Sequence, residues 1–178
     1  MARYIAFLRA INVGGHVVTM ERLRLSFLEM GLANVETFIA SGNVIFESRA
    51  QPDLLEIKIE KQLQKELGYE VVTFVRSDAE LAQVAKHKAF AESGPGTEGT
   101  LFIGFLRSEP TLVTQEKLLA CRSAVDDFHF HQRELYWLCR TRSSDSQFSG
   151  PRLEKVLGRR TTIRNANTVR RLVSKYPV

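Results

Sequence analysis

The sequence predicts a mixed α+β chain built from two related halves. Three observations predict it. Strand-length apolar runs and helix-length stripes follow the order β-α-β-β-α-β over residues 1–76. Glycine, proline and capping residues punctuate the boundaries. A similar order starts again after residue 99. The chain has 178 residues, 44% hydrophobic and 25% charged, which suits one globular domain or two small ones.

Arg3 to Leu8 is an apolar run of strand length. Residues 9–18 contain Gly14-Gly15 and read as a loop. Thr19 stands where a helix cap belongs, before Met20, Leu23, Phe27, Leu28 and Met30 at helical spacing, and Gly31 ends that helix. Val35 to Ile39 and Val44 to Phe46 flank the turn Ser41-Gly42-Asn43 as a hairpin. Pro52 opens a helix that runs through Leu67, striped by Leu55, Ile59, Leu63 and Leu67, and Gly68 closes it. Val71 to Val75 is a fourth strand. This order is the ferredoxin-like, split βαβ arrangement.

Residues 77–99 link the halves. Ser77 caps a helix reaching Lys86, and the Gly- and Pro-containing stretch 91–99 is expected to be a mobile loop. The second half, 100–178, opens on a strand from Leu101 to Leu106. Thr114 caps a short helix containing Leu118 and Leu119. Phe128–His131 and Leu135–Leu138 form a hairpin around Gln132-Arg133. A helix from Pro151 to Leu157, a short strand at Thr161–Ile163 and a last helix capped by Asn165 or Asn167 complete it. Phe7-Leu8-Arg9 and Phe105-Leu106-Arg107 occupy matching ends of the two leading strands.

Chain topology predicts a site. In a split βαβ unit a right-handed crossover makes the first two strands parallel, so the turns that follow them emerge at one end of the sheet. The loop 9–18 and the turn 41–43 should therefore meet. Gly14 and Gly15 let a ligand approach the backbone, near a helix N-terminus that favours an anion. Arg9 offers a bidentate fork for phosphate or carboxylate. Asn12, Ser41 and Asn43 add neutral donors and acceptors, and His16 adds a group that titrates near neutrality. Arg164 and Asn165, at the start of the last helix, are further candidates should the halves bring them close. The purely structural alternative is that Gly-Gly and Ser-Gly-Asn only turn the chain, that Asn12 caps the loop and that Arg9 pairs with a buried carboxylate.

Charge suggests another partner. Residues 140–178 hold ten Lys/Arg against two acids, while the whole chain is +5. Arg159, Arg160, Arg164, Arg170 and Arg171 form a basic segment that nucleic acid would suit; a solvated helix face explains it equally. His129 and His131 alternate on one face of a strand, but no third ligand is placed by spacing, so no metal site is predicted. The double glycine lacks the spacing of a dinucleotide or P-loop motif, and no catalytic signature appears, so no cofactor is assigned. Apolar runs stay far below the roughly 20 residues of a membrane span, and no signal-peptide pattern opens the chain. Cys121 and Cys139 form no CxxC pair, so the expected setting is reducing and cytoplasmic.

Three segments go together: Ala6-Phe7-Leu8-Arg9-Ala10-Ile11-Asn12-Val13-Gly14-Gly15-His16, then Ser41-Gly42-Asn43-Val44-Ile45-Phe46, then Thr161 to Val169. Together they resemble the uncharacterised, mostly bacterial family called domain of unknown function 1697. The resemblance covers nearly the whole chain and implies two small α+β subdomains, the first ferredoxin-like. It brings no established activity, substrate or cofactor, and no catalytic residue is carried over. The family often has Gly where Ala10 stands, a basic or polar residue near Val17, Gln where Ala40 stands and an aromatic where Ala166 stands.

Three functions compete at this stage. One is binding of a phosphate- or carboxylate-bearing ligand at the end of the first sheet. Another is nucleic-acid binding through the basic C-terminal segment. A third is an enzyme acting on a small anionic metabolite, with His16 carrying a proton and Arg9 orienting substrate. Oligomeric state is not written in the sequence.

Overall fold

A computed structural model describes residues 1–40, 42–90 and 98–178. Contacts divide the chain into two units, Met1–Ala82 with Tyr176–Val178, and Gln83–Lys175.

The first unit contains β1 (Ala2–Leu8), α1 (Met20–Glu29), β2 (Ala33–Thr37), β3 (Asn43–Ser48), α2 (Pro52–Leu67) and β4 (Thr73–Ser77). The sheet order is β2-β3-β1-β4. β3 is antiparallel to both β1 and β2, so those two run parallel, as the topological argument requires. Strand alternation turns Tyr4, Ala6, Leu8, Val44, Phe46 and Val75 onto Leu23, Phe27, Leu55, Ile59 and Leu63 of the two helices. Each such large side chain contributes about 1.5–3 kcal/mol on full burial. Gly31 ends α1 by donating to Leu28 O at 2.9 Å, while Leu32 donates to Phe27 O at 3.3 Å.

Most strand ends shift by one or two residues from the sequence reading, and two of the shifts have a visible cause or consequence. β2 stops at Thr37, and Ile39 is an exposed turn residue with φ +59°. β4 starts at Thr73, two residues later than apolar content suggests. Two carboxylates of α2 set its position: Glu60 accepts from Thr73 N at 2.8 Å and Glu56 from Val75 N at 2.9 Å.

α3 (Asp78–Lys86) begins with a reciprocal cap: Ser77 Oγ accepts from Glu80 N, and the Glu80 carboxylate accepts from Ser77 N. The second unit then contains β5 (Thr100–Phe105), α4 (Leu112–Leu119), β6 (Asp126–His131), β7 (Glu134–Cys139), α5 (Gly150–Leu157), β8 (Thr162–Asn165) and α6 (Ala166–Lys175). Its sheet order, β6-β7-β5-β8, repeats that of the first unit. Phe128, Trp137, Phe148, Leu118, Leu153 and Leu157 fill its core. Of the loop read at 91–99, residues 91–97 lie outside the described residues.

The cap of α4 is Thr111 and not Thr114: the Thr111 hydroxyl accepts from Thr114 N at 3.3 Å. Both residues can cap; with the cap at Thr111, the exposed Leu112 and Val113 form the first turn of the helix. Thr111→Ala should cost about 1 kcal/mol in urea unfolding, and Thr114→Ala only a few tenths. Equal losses would reject this assignment.

The two halves also share a detail. Arg76 of β4 pairs with Ile5, and Arg164 of β8 pairs with Ile103. Both arginines are buried, and each donates from Nη1 to the carbonyl of its preceding residue at 3.0 Å.

Candidate functional site

The two turns of the first unit do meet. Leu8 N donates to Gly42 O at 2.9 Å, and Asn12 Nδ2 reaches Ala40 O at 3.5 Å. Ile11 is buried beneath the contact, close enough that a Cβ on Gly42 would lie 2.9 Å from its Cγ2. Distant turns are thus sealed by backbone hydrogen bonding and an isoleucine plug. Chain topology makes this juxtaposition legible from sequence; the plug is not, because nothing marks Ile11 as facing inward.

Val13 to His16 form a tight turn, with His16 N donating weakly to Val13 O at 3.4 Å. Gly14 (φ +67°) and Gly15 (φ +83°) occupy its corner, where a β-carbon would be strained. Both are exposed, and among the described residues neither amide has a hydrogen-bond partner. His16 is exposed but not loose: its ring stacks on Tyr69, centroids 3.8 Å apart, and the Tyr69 hydroxyl donates to Ile11 O at 2.9 Å. Burial raises the Tyr69 pKa, so the phenol stays protonated near neutrality. Tyr69 escaped the sequence reading; its only signal is its place after the helix-closing Gly68.

Several candidates have structural tasks instead. Asn12 Oδ1 accepts from Val18 N at 2.7 Å, so the side chain braces the loop from inside. Asn43 is fully buried and donates to Phe38 O at 2.9 Å, which fixes the hairpin and removes it from a ligand's reach. Ser41 lies outside the described residues. Arg9 is half-buried, its amide bonded to Val72 O and its leading-strand position at the base of the loop. At the N-terminus of α1, expected to add its amides to the glycine pair, one amide is already taken: Thr19 Oγ1 accepts from Arg22 N at 3.2 Å.

Arg164 and Asn165 belong to the second unit. Arg164 donates to Thr162 Oγ1 at 2.8 Å as well as to Ile163 O, and burial pulls its pKa down to about 10. It remains charged near neutrality and directed inward. Asn165 Oδ1 accepts from Asn167 N at 2.8 Å, which makes it the cap of α6. The basic segment is similarly engaged: Arg159 reaches Ser108, Arg160 pairs with Glu154 at 3.7 Å, and Arg170 reaches Asn167. Only part of that charge is therefore presented as a face for nucleic acid.

A model of a protein family of unknown function, DUF1697, matches residues 1–136, three quarters of the chain. The chain belongs to the DUF1697 family. The match includes the two turns at the sheet end and stops before the third segment, Thr161 to Val169. The conserved bacterial protein SP0830 from Streptococcus pneumoniae has a similar structure, with a TM-score of 0.73, 24% identity and 98% of each chain covered. That likeness carries the two-unit α+β fold through the whole DUF1697 chain. No curated protein matches it. Among the described residues, no helix is long and apolar enough to cross a membrane, and no group of three or more His, Cys, Asp or Glu has a metal-holding arrangement.

Proposed function

We propose that this protein binds a small phosphate- or carboxylate-bearing ligand at the glycine turn of the first unit. The observation that supports the reading is the pair of unpartnered, solvent-facing amides at Gly14 and Gly15 on a turn braced from behind. Asn12, Ile11 and Tyr69 hold that turn, so little ordering is left for a ligand to impose. An oxyanion would accept from the two amides, and His16, already flat against Tyr69, would supply a further donor when protonated. Arg9 lies at the base of the loop as the neighbouring cation. The setting proposed is cytoplasmic, in keeping with two free cysteines.

Titration with inorganic phosphate, followed by amide NMR, tests this. Shifts should centre on Gly14, Gly15 and His16. His16→Ala should weaken binding about five- to tenfold through loss of one donor to the oxyanion. Shifts confined to other residues, or none at about 20 mM phosphate, reject the reading.

A further inference from the structure

The second unit also has a cleft of about 390 Å³. Lys86, Lys88, Arg170 and His87 line it over an apolar floor that includes Leu101 and Leu138. Among the described residues no carboxylate lines it. His87, just past the end of α3, also joins this cleft to His129 and His131 on β6. Its Nε2 lies 3.0 Å from His129 Nε2, and its ring stacks on His131 with centroids 3.9 Å apart.

We propose that this cleft binds a small organic anion with a flat apolar body, and that the imidazole cluster ties that binding to proton uptake. The ligand class follows from the lining. The cations complement negative charge, while Leu101, Leu138 and the adjacent Phe90 give an aromatic or similarly flat body apolar surface to cover.

The proton link follows from how the rings meet. The His87 and His129 centroids are 5.2 Å apart, near the largest separation that a 3.0 Å nitrogen contact allows. The two nitrogens therefore point at one another along one line. They do not converge on a shared point to the side, as two ligands of one metal ion would. Two neutral rings satisfy this contact when one donates N–H and the other, as the opposite tautomer, accepts. One added proton leaves an imidazolium donating to an imidazole. A second would set two N–H groups against each other.

Other groups around the cluster are accounted for. On His129, Arg122 opposes the positive form and Asp127 favours it, with His131 opposing it from the same strand. Tyr136 of β7 donates to Val84 O at 3.1 Å, and burial beside Glu134 keeps it protonated. Lys86, Lys88 and Arg170 approach from the cleft side. Burial first, then neighbouring imidazoles, hold His87 and His129 below the usual histidine range. The unfolded chain therefore takes up protons before the folded one. The stability involved is full above the unfolded value of 6.5 and declines as pH falls toward the folded values. An anion in the cleft favours the charged ring, so ligand and proton each strengthen the other's binding.

Benzenesulfonate is the probe, because its charge stays constant from about pH 5 to about pH 8, and sulfate reports charge alone. Amide shifts should centre on residues 86–90 and Arg170. Benzenesulfonate should bind at least about fivefold more tightly near pH 5.5 than near pH 8, and more tightly than sulfate. The ring signals of His87 and His129 should titrate at higher pH in its presence. Lys86→Ala combined with Arg170→Ala should weaken binding about tenfold. His87→Gln should lose the pH dependence of binding, whatever affinity remains. Shifts elsewhere, affinity independent of pH, or unmoved ring titrations in the unmodified chain would each overturn the proposal. The last measurement decides even if His87→Gln does not fold. Shifts at Gly14 and Gly15 alone would support the first-unit site and reject this one.

Discussion

Replacing Asp126 by Ala is expected to destabilise the second unit by about 3–4 kcal/mol, a large share of a typical domain's stability. Asp126 is 2% exposed at the start of β6. Its Oδ1 accepts from the Trp137 indole N–H at 2.8 Å, and both carboxylate oxygens accept from Ser146 Oγ, at 2.8 and 2.9 Å. Ser146 Oγ in turn accepts from Phe148 N at 2.9 Å, which positions Phe148 against Phe128, ring centroids 4.8 Å apart. Alanine removes the acceptor but leaves the buried indole donor, so desolvation is paid without return. Asp126→Asn retains one acceptor oxygen and should lose roughly half as much. Urea unfolding followed by circular dichroism measures both. A loss under about 1 kcal/mol for Asp126→Ala would show that the loop repacks without its carboxylate.

Replacing Gly42 by Ala should cost the first unit about 2–4 kcal/mol and separate the two turns. The residue has φ +76°, and an added Cβ would lie 2.9 Å from Ile11 Cγ2 and 3.1 Å from Leu8 Cβ. Neither neighbour is the free end of a flexible chain: Ile11 is the buried plug, and Leu8 is held in β1. The Leu8 N to Gly42 O bond would lengthen, exposing its amide to hydrogen exchange. Phosphate binding at Gly14 and Gly15 should weaken in parallel. A stable variant with unchanged amide exchange would show that the contact yields without cost.

These two sites differ in how far sequence reveals them. The β-α-β-β-α-β order was legible because glycine and proline mark element ends and apolar spacing changes between them. α2 was legible to the residue, Pro52–Leu67, since both boundaries carry a residue with a fixed backbone preference. The meeting of the turns followed from strand direction alone. The division of labour among polar side chains was not legible. Asn12 and Asn43 are the same residue type on adjoining turns, yet one braces a loop at the surface and the other is sealed inside a hairpin. Arg164 sits beside exposed arginines in sequence but points inward, because strand alternation in β8 overrides the charge pattern. His87 carried no signal, since 42 positions separate it from His129 and no periodicity joins a helix end to a strand.

Glu56 and Glu60 do more than set where β4 begins. β4 closes the series β2-β3-β1-β4 and, among the described residues, has a strand on one side only. Its outward amides at Thr73 and Val75 are those a strand from another molecule would seek, and both are already held by carboxylates. A second chain would have to displace two charged acceptors before it could pair. The open edge is thereby guarded against polymerisation by side chains of the helix packed beside it.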